Sequence, residues 1–365
     1  MHRMGVRLPR PLTMAKKSAV ADPVADILAA IHKGFGKASA MRMAGGARSD
    51  LREVIPTGVD VLDHYVLGCG GLPVGRMIEV LSEEGAGKTS FLLSCLAGAQ
   101  RAGGLAILSE TEVSLDTRRG RVFGLDPERV VLLQPGHLDE AVQQMEAAMK
   151  AIPPGVGPVV LGWDSVAATP SKEEVEEGLA EVSAFDKRAK AISQAVRVLC
   201  PLAAARRVCL VFINQIRDKI GVMFGNKTTT PGGHALKFHA STRIQLFSGK
   251  AQKDRAAQHV GKFVTFLTVK NKLAVPFRKA QVKLTYATGW DDHWATLNHA
   301  KALKLIDNRA QGEAAWLEAR EKLIAAGWGA SMPPMADGGE VPEAPEVDED
   351  GFEVPPNPDD GTQEP

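Results

Sequence analysis

The stretch Ser82-Glu-Glu-Gly-Ala-Gly-Lys-Thr89 constrains this chain more than any other. An apolar run, Met77 to Leu81, leads into it, and a helical pattern, Ser90 to Ala99, leads out. That is the strand, loop and helix setting a phosphate-cradling loop requires. The backbone from Glu84 through Gly85, Ala86, Gly87, Lys88, Thr89 and Ser90 is placed to wrap phosphates with its N–H groups. Lys88 is positioned for the β- and γ-phosphates and the Thr89 hydroxyl for Mg²⁺. One position departs from the usual pattern: Ser82 stands where a first glycine is common, with Gly85 nearby to restore loop freedom.

The surrounding pattern fits an α/β fold. Apolar runs at Leu105 to Leu108, Val130 to Leu133, Val159 to Trp163 and Val208 to Ile213 alternate with helical stretches, which predicts a mainly parallel sheet covered by helices. Ile244 to Phe247, Phe263 to Val269 and Ala280 to Tyr286 lack long intervening helices and are predicted to extend the sheet antiparallel. Two of these strands end in carboxylates. Asp164 closes Val159 to Trp163, where open sheets bind ligands, and is a candidate second Mg²⁺ ligand. Glu110 and Glu112 both follow Leu105 to Leu108, and by position either can orient an attacking water. The Ile216 to His234 stretch is long, basic and glycine-rich, suited to ordering on a polyanion.

Charge narrows the partner. The net charge is +1, yet Asp337 to Glu364 holds eleven carboxylates and no Lys or Arg. The rest of the chain is left with 44 basic residues against 32 acidic ones, about +12. Eight prolines beyond Ser331 and this acidic run cannot build a core, so residues 331–365 are predicted to be a disordered tail. The longest apolar run, Val208 to Ile213, is far shorter than the roughly 18 residues of a membrane span, and no membrane partner is expected. No apolar stretch of signal-peptide length follows the basic residues 1–21, which are read as a disordered N-terminus, with Met14 an alternative start. Cys69, Cys95, Cys200 and Cys209 show neither CxxC pairing nor zinc spacing, which fits a reducing cytoplasm. Aromatic residues make up only 5%, so nucleic acid would be held through phosphates rather than on a stacking platform. Asp22 to Lys33 reads as an amphipathic helix capped by Asp22, too short to be stable undocked, with a linker from Met43 to Ser49.

Several segments in order resemble the bacterial RecA recombinase family: Gly36-Lys-Ala-Ser39, Gly70-Gly-Leu-Pro-Val-Gly-Arg76, Ser165-Val-Ala-Ala168, Phe212-Ile-Asn-Gln-Ile-Arg217, Lys219-Ile-Gly-Val-Met-Phe-Gly-Asn226, Gly233-His-Ala-Leu-Lys-Phe238 and Val269-Lys-Asn-Lys272. The resemblance runs from about Asp22 to Tyr286. It implies a RecA-type P-loop ATPase core over 51–286, an N-terminal oligomerisation segment over 22–50 and a small helical C-terminal domain over 287–330. It also implies a DNA-dependent ATPase that forms helical filaments on single-stranded DNA and exchanges strands with duplex DNA, acting in repair and the SOS response with a LexA-type repressor and recombination mediators. Glu112, which precedes Leu115-Asp116, becomes the water-activating residue, Gln215 the γ-phosphate sensor and Asp116 the adenine-side contact. Lys270 and Lys272 correspond to residues reaching the ATP of an adjacent protomer. The DNA-binding set becomes Lys190 and Arg197 with Arg217, Lys219, Ile220, Gly232 and Gly233, Ile220 acting as a wedge between bases. Arg119 stands where the family stacks an aromatic ring on adenine, and the segment after Tyr286 is shorter than the family's. The alternative is a RecA-like ATPase that regulates recombination without exchanging strands.

The tail generates a prediction from charge alone. Eleven carboxylates tethered to a body of about +12 reach an effective concentration on the order of millimolar and compete with DNA phosphate. Deleting residues 331–365 is expected to tighten duplex binding, most strongly at low salt, where screening is weakest. Duplex titrations of full-length and truncated protein across a salt series check this; equal affinities at low salt would reduce the tail to a solubility device.

Overall fold

A computed structural model describes residues 22–37, 39–42, 53–112, 116–176, 184–218, 228–229 and 234–328. The chain divides into two compact units, Met1–Asp50 and Leu51–Pro365. In the first, α1 (Pro23–Phe35) starts as the sequence predicts: the Asp22 carboxylate accepts from the Ala25 N–H at 3.2 Å and proline opens the first turn. Ile27 and Phe35 are exposed on it.

The second unit is an α/β layered structure. A short pair, β1 (Val54–Ile55) with β2 (Leu72–Pro73), and a π-helical turn, Val61–Val66, precede a nine-stranded sheet. Its strands are β3 (Met77–Ser82), β4 (Leu105–Glu110), β5 (Val130–Leu133), β6 (Val159–Asp164), β7 (Val208–Gln215), β10 (Thr242–Lys253), β11 (His259–Asn271), β12 (Lys279–Thr285) and β13 (Gly289–Asp291). A two-residue ribbon, β8 (Arg217–Asp218) with β9 (Thr228–Thr229), lies between β7 and β10 in the chain. The spatial order is β13-β12-β11-β10-β3-β7-β6-β4-β5. From β10 through β5 every pairing is parallel, and β11, β12 and β13 add on antiparallel. The predicted mixed sheet is therefore present.

The apolar runs become strands because helices cover both faces. β3 and β6 are buried along their whole length, as parallel strands flanked by crossovers must be. One face packs on α2 (Lys88–Arg101), through Leu92, Leu93 and Leu96. The other packs on α4 (Leu138–Ala151) and α6 (Ala184–Arg206), around Trp163 and Phe212, whose rings meet edge-on at 5.2 Å. α2 lies close to the sheet because β6 carries Gly162: a Cβ there would come within 2.6 Å of Leu92. Shorter helices are α3 (Thr117–Val122), α5 (Lys172–Glu176) and α7 (Ala235–His239).

The segment after β12 does more than append helices. β13 completes the sheet edge, and α8 (Asp292–Ala302) and α9 (Gly312–Ala325) follow. They are tied to the π-helical turn by rings: Tyr65 and His299 at 4.2 Å, His299 stacked on Trp328 at 5.8 Å, and the Arg278 guanidinium 5.2 Å from the Tyr65 ring centroid. Asp60 bonds Arg320 at 2.5 Å, and its N–H donates to Asp292 at 2.6 Å.

His299 is buried, and burial followed by the nearby Arg278 charge pushes its imidazole down to about 4. The unfolded chain, with an ordinary histidine, binds a proton between pH 6.5 and 4 that the fold excludes, so stability falls as pH drops through that window. Up to about 3 kcal/mol rides on this one group. His299→Phe is expected to flatten the pH 4 to 6.5 limb of a urea-unfolding series; parallel limbs for both proteins would show that another group carries the acid sensitivity.

Candidate active site

β3 runs buried to Ser82, and the chain then turns through Gly85 at φ +71° and Gly87 at φ +105°, left-handed values that favour glycine. Ser82 is still strand and is absent from the positive-φ residues, so the departure from the usual glycine costs the loop no strain. A Cβ at Gly87 would rest in ordinary contact with Trp290 at 3.5 Å and with Leu284 and Val264 at 3.8 Å, so the backbone angle and not space calls for glycine there. α2 starts at Lys88 with no side-chain cap, leaving its first N–H donors available to an anion.

Lys88 is buried and held by oxygens only. Its Nζ donates to the Glu83 carbonyl at 2.7 Å, the Ser82 hydroxyl at 3.0 Å and the Ser82 carbonyl at 3.2 Å. Burial lowers its pKa, against the pull of Asp164, Glu112 and Glu84. The Thr89 hydroxyl donates to Asp164 Oδ2 at 2.7 Å, and burial pushes Asp164 up to about 6. These two oxygens suit Mg²⁺, which takes one or two protein oxygens and completes its shell with water and substrate phosphate. Among the described residues, no group of three or more His, Cys, Asp and Glu forms a metal cage.

Glu110 and Glu112 separate clearly. Glu110 is buried at the end of β4, in register with Asp164. Glu112 stands just beyond: its Oε1 accepts from Ser165 Oγ at 2.6 Å and from Gln215 Nε2 at 3.4 Å. Gln215 ends β7, and its N–H donates to the Asn214 carbonyl oxygen of the side chain at 3.0 Å. Asn214 in turn donates to Glu79 Oε1 at 2.9 Å, and Glu79 Oε2 bonds Arg243 Nε at 2.6 Å, all three buried. Lys88, Thr89, Asp164, Glu112 and Gln215 thus gather beyond the carboxyl ends of the neighbouring strands β3, β7, β6 and β4. Sequence gives no role to Glu79 and Arg243, nor to Ser165 and Asn214 beyond their places in matched segments, although a glutamate inside the otherwise apolar Met77 to Leu81 run is an available signal.

Other expected site residues are spread more widely. Asp116 caps α3, accepting from the Arg118 N–H at 2.9 Å, and pairs with the Arg118 guanidinium at 2.8 Å. Those bonds lower its pKa. Arg119 reaches the hydroxyl of buried Ser90, on the first turn of α2, at 3.4 Å. Within one chain Lys270 and Lys272 bind the carboxyl end of α7: Lys270 the carbonyls of Lys237 and Phe238, Lys272 that of Phe238 at 3.3 Å. Burial, then Lys272, brings Lys270 down to about 8. Arg197, exposed on α6, bonds back to the Ser193 carbonyl at 3.1 Å, and its charge acts on His239 together with Lys272 and Lys270. Lys190 is exposed on the same helix. Arg217 opens β8 opposite Thr229. Lys219, Ile220, Gly232 and Gly233 lie outside the described residues, as do Leu115, residues 1–21, 43–52 and the tail.

Comparison with known proteins adds an independent line. The RecA N-terminal domain family matches residues 23–291. Protein RecA of Heliobacterium modesticaldum is 39% identical over 262 residues, 72% of this chain and 74% of that protein. Protein RecA of Symbiobacterium thermophilum is 40% identical over 263 residues, 72% and 73% of the two chains. Protein RecA 1 of Myxococcus xanthus is 38% identical over 276 residues, 76% and 79%. The matched span holds the sheet, the phosphate-type loop and the carboxylates beside it, and the chain belongs to the RecA family.

Proposed function

We propose that this chain is a recombinase that binds ATP and Mg²⁺, assembles into helical filaments on single-stranded DNA and exchanges that strand with duplex DNA. Membership of the RecA family supports the activity. The observation that carries the chemistry is the convergence of Lys88, the Thr89–Asp164 pair and the Glu112–Gln215 pair on one loop. Backbone N–H groups from Gly85 to Thr89 and the Lys88 ammonium hold the phosphates. Thr89 and Asp164 hold Mg²⁺, which when bound offsets charge on the phosphate oxygens. Glu112, a carboxylate within reach of both Gln215 and Ser165, accepts a proton from the attacking water. Gln215 sits between that carboxylate and the loop that begins at Ile216, so it reports whether a γ-phosphate is present. On this reading Asp116 and Arg119, the latter bonded to Ser90, face the base.

DNA is held by the basic body through phosphates, with Lys190, Arg197, Arg217, Lys219, Ile220, Gly232 and Gly233 as the contacting set. Head-to-tail contacts that do not close give filaments, and α1 with its exposed Ile27 and Phe35 is the docking element. Four free cysteines support a cytoplasmic location, with a LexA-type repressor and mediator proteins as further partners of this reading.

Two experiments test the reading. Glu112→Gln is expected to keep ATP binding and slow DNA-dependent hydrolysis at least about tenfold, since positioned acid–base groups contribute about 10²–10⁴-fold. Lys88→Ala is the control that should not bind ATP. A larger loss for Glu110→Gln would reassign the water-activating role, and normal turnover by Lys88→Ala would remove the site.

The second concerns the protomer interface. Lys270→Ala/Lys272→Ala protein, mixed with wild type, is expected to depress strand exchange and hydrolysis beyond simple dilution. Activity strictly proportional to the wild-type fraction would confine both lysines to α7 of their own chain.

A further inference from the structure

The β10–β11 hairpin sends one side chain to the phosphate-type loop. Lys262, on β11, donates from Nζ to the Gly85 carbonyl. Two positions on, Val264 faces the same side of the strand, and Leu284 is the residue paired with Lys262 on β12. Val264, Leu284 and Trp290 form the wall against which Gly87 rests. Lys262 is therefore the charged end of an otherwise apolar wall that backs the loop.

Its electrostatic setting is unusual for a lysine with solvent at hand. Burial lowers its pKa, and the second influence is another cation, Arg119. Its charge also acts on Lys88. Arg119 itself reaches Ser90, on the first turn of α2. Cations from two other elements, Lys262 of β11 and Arg119 of α3, thus reach residues 85–90, which hold Lys88 and where the N–H groups of an uncapped helix start already add positive potential. Asp164, Glu112 and, from within the loop, Glu84 all act on Lys88, whereas the charged group that acts on Lys262 is Arg119. Like charges drawn together around a half-buried loop raise the energy of the free protein, and a polyanion between them lowers it. A carbonyl is also a weak holder for an ammonium compared with a phosphate oxygen.

We infer that Lys262 is a further nucleotide-binding residue, a cation supplied by the β10–β11 hairpin that exchanges the Gly85 carbonyl for an anionic oxygen of the phosphate chain. The inference rests on the reading that this loop binds a nucleoside triphosphate. Lys262 bonds the Gly85 carbonyl, whereas Thr89 bonds Asp164 and Glu112 bonds Ser165 and Gln215, so its role is to hold the nucleotide and not to activate water. Its effect belongs in affinity, in ATP and ADP alike, and not in the chemical step.

The test uses full-length protein without DNA and fluorescent ATP, ADP and adenosine analogues. Lys262→Gln is expected to weaken ATP and ADP at least about fivefold, the loss of one charge-assisted hydrogen bond, and to leave adenosine unchanged. Lys262→Arg should recover most of the affinity. With DNA present, KM for ATP should rise in Lys262→Gln while kcat holds. Thermal unfolding without nucleotide guards against a merely structural effect: equal midpoints for wild type and Lys262→Gln are expected. Unchanged ATP and ADP affinities, or an equal loss for adenosine, would overturn the inference while leaving the loop's assignment intact. Failure of the wild type itself to bind ATP, or ATP binding by Lys88→Ala equal to wild type, would overturn both.

Discussion

The Glu79–Arg243 pair is the constraint around which the sheet and the loop are arranged. Glu79 lies in β3 and Arg243 opposite it in β10, both almost wholly inaccessible, joined at 2.6 Å. Removing one partner of such a pair strands a buried charge, typically at a cost of about 3–5 kcal/mol. The pair therefore fixes the register in which the antiparallel half of the sheet, β10 to β13, joins the parallel half. Asn214 takes the other oxygen of Glu79 and so fixes β7 against β3 on the opposite side. The loop hangs from the end of β3, three residues past Glu79, and Gln215 from the end of β7. Their spacing follows from a network that solvent cannot loosen.

Beyond the strand ends the charge balance reverses. Asp164, Glu112 and Glu110 converge, and their mutual repulsion adds to burial in pushing Asp164 up. Lys88 opposes this but is itself desolvated. A site with more carboxylate than ammonium at its floor and more cation than carboxylate around its loop is divided by charge. The acidic floor suits a divalent cation, and the basic rim suits phosphate. On the proposed function, the magnesium complex of a nucleoside triphosphate would bring a cation to the first and an anion to the second.

Much of this was legible from the chain. Parallel strands read as largely apolar runs, and all five such runs became strands, the edge strand β5 half exposed and β3 interrupted by Glu79. Their ends were less legible. Val208 to Ile213 continues to Gln215 because Asn214, polar and therefore read as an end, is satisfied inside the sheet by Glu79. The Ser82 departure looked costly in sequence, yet the left-handed turns fall on Gly85 and Gly87, so a hydroxyl at Ser82 is free to hold Lys88. The choice between Glu110 and Glu112 needed the resemblance to a family, because two carboxylates on one strand end differ only in what they face. Lys262 carried no local signal. It becomes meaningful only when β11, held one strand away from β3 by β10, brings Lys262 to the loop that follows β3, a contact between residues 177 positions apart.

The lysines at the far edge show how the same network reaches a second surface. Arg243 is the register partner of Lys270, and its charge, with that of Lys272, helps burial bring Lys270 down to about 8. Lys270 and Lys272 hold the last carbonyls of α7, a favourable place for cations at a helix's negative end. From Gln215 through Asn214, Glu79 and Arg243 to this helix, adjoining groups are hydrogen-bonded, ion-paired or in strand register, and the central ones are buried. A buried chain of short polar bonds is stiff, because lengthening any one leaves a desolvated group unsatisfied. On the proposed reading of Gln215 as the γ-phosphate sensor, a displacement of its side chain would therefore be costly to absorb within β7. The register pair of Arg243 in β10 and Lys270 in β11 carries the network on to the carboxyl end of α7, whose carbonyls Lys270 and Lys272 hold.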